Sequence, residues 1–147
     1  MPALFGSLVT VTHGYLNAKW YAVHGKHLTP RWLKDPRFLV GLALYASGFA
    51  MIVWHDNILR DLRKPGGPRY VIPTEGLFQY VTCAQYFAEL WAFTGWWLMS
   101  YGPNGLFILA VSTVNLVPRA VQTTLWYREK FPGEYPAERK HIIPFLY

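Results

Sequence analysis

The sequence has little charge and almost no cysteine. Only 15% of its 147 residues are charged, against about a quarter in an ordinary soluble domain. Cys83 is the only cysteine, which excludes an internal disulfide and a multi-cysteine zinc site. The sequence also lacks a P-loop, a nucleophile elbow and a G-x-G-x-x-G motif, so it does not indicate a soluble nucleotide-binding fold. Because 52% of the residues are hydrophobic and 18% aromatic, disorder is excluded as well.

Formal charge is absent from three long stretches, residues 1–18, 38–54 and 90–118. A helix needs about 20 apolar residues to cross a bilayer, and the third stretch holds most of two spans, divided by a turn over Tyr101–Gly105. The first stretch lacks the basic start and cleavage site of a signal peptide. The sequence therefore predicts an all-α integral membrane bundle that forms a single domain over residues 1–147. Its expected transmembrane helices cover about 3–23, 38–56, 80–101 and 105–127.

Basic residues follow the second and the fourth predicted helices. They are Arg60, Arg63, Lys64 and Arg69 after the second, and Arg128, Lys130, Arg139 and Lys140 after the fourth. By the positive-inside tendency, the 57–79 loop and the C-terminus are expected in the cytosol, although four basic residues within 26–37 would then lie on the opposite side. Charges that flank membrane helices do not indicate a nucleic-acid partner. His24 and His27 lack a third ligand, so no metal site is predicted.

Polar residues recur at helical spacing near the predicted cytosolic ends of three helices. They are Asp56, Arg60 and Arg63 on the second, Thr82, Gln85 and Glu89 on the third, and Ser112, Asn115, Arg119 and Gln122 on the fourth. An ionisable residue within a span marks a functional site by default, which favours a functional role for Glu89 and Arg119 over a structural ion pair between them. Arginine clusters suit phosphate oxygens. The pattern predicts one membrane-embedded cavity for a phosphorylated ligand.

Six segments in order resemble the steroid 5-alpha-reductase (3-oxo-5-alpha-steroid 4-dehydrogenase) family, in its C-terminal domain. They are Leu59–Gly66, Tyr70–Pro73, Gly76–Val81, Tyr86–Glu89, Asn115–Ala120 and Trp126–Tyr147. The Asn-Leu-Val-Pro-Arg-Ala segment is most similar to the plant brassinosteroid-type branch. The resemblance extends back to His13, so it covers nearly the whole chain.

The resemblance implies a multi-pass, seven-helix enzyme of the endoplasmic reticulum membrane with a cytosolic C-terminus. Such an enzyme is an oxidoreductase that uses NADPH to reduce the C4–C5 double bond of a 3-oxo-delta-4 steroid, and its other partner is the lipid bilayer. The family's cofactor contacts carry over to Asp56, Arg63, Tyr70, Glu89, Arg119 and Tyr127. In that picture Arg63 and Arg119 hold phosphates, whereas the carboxylates and Tyr127 hold the sugars and the nicotinamide.

Two departures from the family pattern accompany this resemblance. Only the last four of the family's helices fit into this sequence, so the tyrosine and glutamate that engage the steroid 3-oxo group are expected in a missing N-terminal half. The catalytic residues are therefore unknown, and we expect no steroid turnover by the 147 residues alone. The second departure is substitution at Ile52, Gln85, Ala88 and 122–124, where the family has Asn, Asn, Gly and a histidine-containing stretch. Three alternatives stay open: a related trans-2-enoyl-CoA or polyprenol reductase, a truncated non-catalytic membrane protein, and an oligomer that supplies the missing half of the site.

Overall fold

Four α-helices make up most of the computed structural model, which describes residues 2–63, 66–68 and 70–147. Helix α1 covers Pro2–His24, α2 Pro36–Asp61, α3 Ala84–Ser100 and α4 Pro103–Lys130. Short 3-10 turns occupy Gly25–His27, Trp32–Lys34 and Gly76–Gln79. Apart from an isolated bridge between Val81 and Lys140, the described residues contain no β-structure. The prediction of an all-α fold is confirmed.

The chain divides into two compact units, Met1–Leu39 and Val40–Tyr147. The first contains α1 and the first two 3-10 turns, and the second contains most of α2, all of α3 and α4, and the C-terminal segment. All six residues assigned to cofactor binding lie in the second unit.

Two of the four helices, α2 and α4, combine the length and low charge that a membrane crossing requires. With 26 and 28 residues, each is longer than the roughly 20 residues that span a hydrocarbon core. Their outward side chains are large and apolar: Phe49 is 57% exposed and Val114 is 75% exposed. Such surfaces are unfavourable in water and favourable in lipid. The fold is that of a helical membrane protein.

Small residues let α2 and α3 approach each other closely. A Cβ atom added to Gly48 would lie 2.7 Å from the backbone nitrogen of Ala92, and one added to Gly41 would lie 2.8 Å from the carbonyl oxygen of Gly95. Neither position has room for a side chain. Close backbone approach through glycine and alanine is the usual way in which helices pack inside a membrane. This contact sets the position of α2 beside α3.

Helix α3 begins at Ala84, so the predicted start at residue 80 is wrong. The residues just before it form backbone hydrogen bonds with the C-terminal segment: Thr82 N–H donates to Lys140 O at 2.8 Å, and Cys83 N–H donates to His141 O at 3.2 Å. Lys140 N–H donates to Tyr80 O at 2.9 Å. These N–H and carbonyl groups of residues 80–83 are therefore paired with the C-terminal segment and not with a helix. Helices α1, α2 and α4 extend beyond the predicted boundaries at both ends, whereas α3 ends one residue before the predicted position, at Ser100.

Two buried apolar clusters pack the connecting segments against the helices. One contains Ile58, Phe78, Val81 and Ala84, and the other contains Cys83, Leu116, Ala120 and Ile142. The first joins the end of α2 to the 3-10 turn before α3, and the second joins α3 and α4 to the C-terminal segment. The polar ends of α2, α3 and α4 are therefore packed against buried apolar residues.

Candidate functional site

Three of the six predicted cofactor residues line one cavity. Arg63, Tyr70 and Tyr127 surround a space of about 250 Å³ together with apolar residues from the end of α2 and the loop that follows it. The Tyr127 hydroxyl donates to Val71 O at 3.4 Å, and the Tyr70 ring packs edge-on against Trp126 with centroids 5.0 Å apart. The lining of this cavity therefore combines one cation and two aromatic hydroxyl groups with apolar side chains.

The other three predicted residues form a second group, one on each of α2, α3 and α4. Glu89 is half-buried, while Asp56 and Arg119 are exposed. Both are close enough to act on the charge of Glu89, Asp56 unfavourably and Arg119 favourably. Neither Glu89 nor Arg119 takes part in an ion pair among the described residues, whereas exposed Arg60 contacts Asp61 at 3.5 Å. Glu89 and Arg119 therefore do not form the structural ion pair that was the alternative to a functional role.

Helix α4 connects the two groups. Arg119, Thr123 and Tyr127 follow one another at a spacing of four, which places them on one face of the helix. Arg119 and Thr123 both lie near buried Cys83 at the start of α3, and Tyr127 lies near Cys83 and Arg63. This face of α4 therefore runs from the group around Glu89 to the cavity beside Arg63.

A network of hydroxyl groups and rings stands behind Tyr127. Its ring stacks on that of Tyr135, with centroids 5.6 Å apart and an interplanar angle of 22°. The Tyr135 hydroxyl lies 2.5 Å from Thr82 Oγ1, which is also 2.7 Å from Thr124 Oγ1. Thr82 and Thr124 are buried. These contacts fix the ring of Tyr127 at the cavity wall through the segment before α3, through α4 and through the C-terminal segment.

Arg139 is a buried cation that the sequence analysis treated only as an orientation signal. It is 4% exposed, its Nη1 donates to Pro73 O at 3.0 Å, and its guanidinium lies 5.1 Å from the centre of the Tyr135 ring. It also acts on Tyr127 electrostatically. Nothing local distinguishes Arg139 from the exposed Lys140 beside it, so the sequence alone offered no signal for its burial.

His55 is a second residue that the sequence analysis missed. It is fully buried, its Nδ1 lies 2.6 Å from Met51 O, and its Nε2 accepts a hydrogen bond from Leu77 N–H at 3.1 Å. The ring therefore carries its proton on Nδ1 and joins α2 to the 3-10 turn Gly76–Gln79. His55 precedes Asp56 in α2, so this bond holds the end of the helix that carries one of the site's carboxylates.

The positions at which the sequence departs from the family pattern lie in surroundings that differ from one another. Gln85 Oε1 is buried without a hydrogen-bond partner, one turn before Glu89. Ala88 is fully buried, so the packing there excludes a larger side chain. Thr124 belongs to the hydroxyl network behind Tyr127, whereas Gln122 is exposed. Nothing in the structure explains Ile52.

The fold and this geometry together define a helical membrane protein with a cavity lined by cationic, aromatic and apolar residues beside the end of α2. The family profile described as 3-oxo-5-alpha-steroid 4-dehydrogenase matches residues 3–147. This chain belongs to that family, the steroid 5-alpha-reductases, which are oxidoreductases of steroid metabolism.

Plant and animal members resemble the chain to a comparable degree. It is 35% identical over 145 residues to steroid 5-alpha-reductase DET2 of Solanum lycopersicum, covering 99% of this chain and 56% of that protein. The corresponding protein of Gossypium hirsutum is 39% identical over 135 residues, 92% of this chain and 52% of its own length. Human 3-oxo-5-alpha-steroid 4-dehydrogenase 1 is 42% identical over 135 residues, 92% of this chain and 51% of its own length. The chain spans about half the length of these relatives.

Proposed function

We propose that this chain is the cofactor-binding half of an enzyme that uses NADPH to reduce the C4–C5 double bond of a 3-oxo-delta-4 steroid. The names of its relatives support the reaction. In this proposal residues 1–147 form one membrane domain, equivalent to the C-terminal part of the family fold. The groups that engage the steroid 3-oxo oxygen then belong to a preceding N-terminal part or to an associated chain. The domain lies in the endoplasmic reticulum membrane with its C-terminus in the cytosol, as the basic residues after α2 and α4 favour.

One observation carries the cofactor assignment: Arg63 and Arg119 form no direct ion pair with a carboxylate among the described residues. Both side chains are exposed, that of Arg63 just beyond the end of α2 and that of Arg119 within α4. NADPH carries a diphosphate and a 2′-phosphate, and arginine binds such groups through paired, charge-assisted hydrogen bonds. The cavity of about 250 Å³ beside Arg63 accommodates part of a dinucleotide. The residues present therefore fit this cofactor.

Each residue of the site has a distinct task in the proposal. Arg63 and Arg119 bind phosphate oxygens, and Asp56 and Glu89 accept hydrogen bonds from hydroxyl or amide groups. Tyr70 and Tyr127 provide flat surfaces that orient the ligand, and the apolar residues of the cavity exclude water. When bound, the cofactor supplies the hydride, whereas the protein supplies its position.

The proposal is tested by NADPH titration of the purified chain in lipid nanodiscs, followed by energy transfer from tryptophan to the nicotinamide. We expect Arg119→Gln and Arg63→Gln each to weaken binding by about tenfold, because each removes a charge-assisted bond to phosphate. Arg60→Gln is the matched control, since Arg60 is exposed and pairs only with Asp61. Equal affinities for all four proteins would contradict the assignment.

A further inference from the structure

A second pocket lies beyond the end of α4 and is separate from the cofactor cavity. It has a volume of about 200 Å³, and its lining includes Arg128, Lys140 and His141. We call this cavity the basic pocket, after these three residues. It shares no lining residue with the cavity around Arg63, Tyr70 and Tyr127. The function proposed above leaves these three residues without a role.

The backbone around the basic pocket is firmly held. Lys140 is bonded in both directions, with its N–H donating to Tyr80 O at 2.9 Å and its carbonyl accepting from Thr82 N–H at 2.8 Å. The carbonyl of Tyr147, which also lines the pocket, accepts from the N–H groups of Ile142 and Ile143 at 2.9 and 2.7 Å. The pocket is therefore part of the folded structure.

The side chains of the basic pocket have more donors than acceptors. Arg128 Nη2 donates only a long bond of 3.4 Å, to Ala137 O, and neither Arg128 nor Lys140 forms an ion pair among the described residues. His141 Nδ1 is buried without a hydrogen-bond partner. Burial, followed by the charges of Arg128 and Lys140, holds the pKa of His141 below its ordinary value. Glu138 also lines the pocket and offsets part of its positive charge.

We propose that the basic pocket binds a phosphate group. Phosphate oxygens accept the forked donors of arginine and the point charge of lysine, and His141 adds one further polar contact to them. Arg128 lies in the last turn of the membrane helix α4, so the pocket sits where lipid headgroups meet water. Two sources supply phosphate there, a phosphorylated lipid headgroup and a soluble phosphate compound.

The test uses the whole chain in phosphatidylcholine nanodiscs, with histidine labelled for NMR. In one arm inorganic phosphate is titrated, and in the other the discs contain phosphatidylinositol 4-phosphate. We expect saturable movement of the His141 ring signals and a higher pKa for that ring when an anion is bound. Arg128→Gln and Lys140→Gln should each weaken binding by about tenfold, whereas Glu138→Gln should strengthen it because a repulsive carboxylate is removed.

Lys130→Gln is the matched control, because Lys130 ends the same helix without lining the pocket. Saturation of the His141 signals by inorganic phosphate identifies a soluble ligand, and saturation only in the discs with phosphatidylinositol 4-phosphate identifies a lipid headgroup. Either result supports phosphate binding in the basic pocket if Lys130→Gln binds normally. An equal loss of affinity in Lys130→Gln and Arg128→Gln would mean that general surface charge causes the binding, and it would overturn the proposal. Absence of a His141 response in both arms would overturn it too. Thermal unfolding of each variant identifies any that fail to fold.

Discussion

His55 offers the sharpest test of how the end of α2 is held. The substitution His55→Phe keeps an aromatic ring of similar size in a fully buried position. It removes the acceptor for Leu77 N–H, which lies 3.1 Å from Nε2, and it removes the Nδ1 donor to Met51 O. Phenylalanine is larger than histidine by a little more than a methylene group, so some overpacking adds to the loss of the two hydrogen bonds.

The expected cost follows from the group that is left without a partner. A buried N–H that loses its acceptor destabilises a protein by about 1–3 kcal/mol, whereas Met51 O keeps its place in the helix ladder. The lost bond to Met51 O adds at most about 1 kcal/mol. We therefore expect His55→Phe to lower the free energy of unfolding by about 1–4 kcal/mol. The 3-10 turn should loosen first, because His55 is its link to α2.

The measurement is reversible unfolding in mixed micelles, followed by tryptophan fluorescence, together with hydrogen exchange at the Leu77 amide. Val53→Ala is the control, since Val53 lies in the same helix and is 46% exposed. We expect that variant to unfold within about 0.5 kcal/mol of the parent protein. If His55→Phe leaves both the stability and the Leu77 exchange rate unchanged, the hydrogen bond does not hold the turn.

Two further predictions concern helix packing and pH. Gly48→Leu should separate α2 from α3 and lower the free energy of unfolding by about 1–3 kcal/mol or prevent folding, because a Cβ there would lie 2.7 Å from Ala92 N. The control is Gly14→Leu, where nothing lies within 4 Å of an added Cβ, and this variant should unfold like the parent protein. Equal losses of stability in the two variants would refute the close contact. The lowered pKa of His141 means that the unfolded chain takes up that proton first, so stability should fall as pH drops below about 6.5. A His141→Gln variant should lose this part of the pH dependence, and an identical pH profile would contradict the reasoning.

Much of the fold follows from local sequence. The charge-free stretches 38–54 and 90–118 indicate α2, α3 and α4, since a long apolar segment with so little charge is stable as a helix in lipid. Grouping Arg63, Tyr70 and Tyr127 in one place depended on the family resemblance rather than on spacing, because Tyr70 lies in a loop. The structure brings these three residues to one cavity and places Asp56 and Arg119 around Glu89.

The features that the sequence did not predict all depend on partners distant in the chain. The start of α3 is set by hydrogen bonds to Lys140, and the burial of Arg139 depends on Pro73 O, 66 residues away. His55 is satisfied by Leu77, 22 residues further on. Helical periodicity describes neighbours within one or two turns, so it carries no information about such contacts.

The pairing of the Thr82 region with Lys140 has a consequence for biosynthesis. The two residues are separated by 58 positions, and all of α3 and α4 lies between them. Translation therefore completes both helices before the ribosome adds the residues that bond to the start of α3. The wall behind Tyr127 can close only after that point, because Tyr135 and Lys140 both follow α4 in the chain. The packing around Tyr127 is therefore the last part of this unit to become complete, after the helices that carry it have been synthesised.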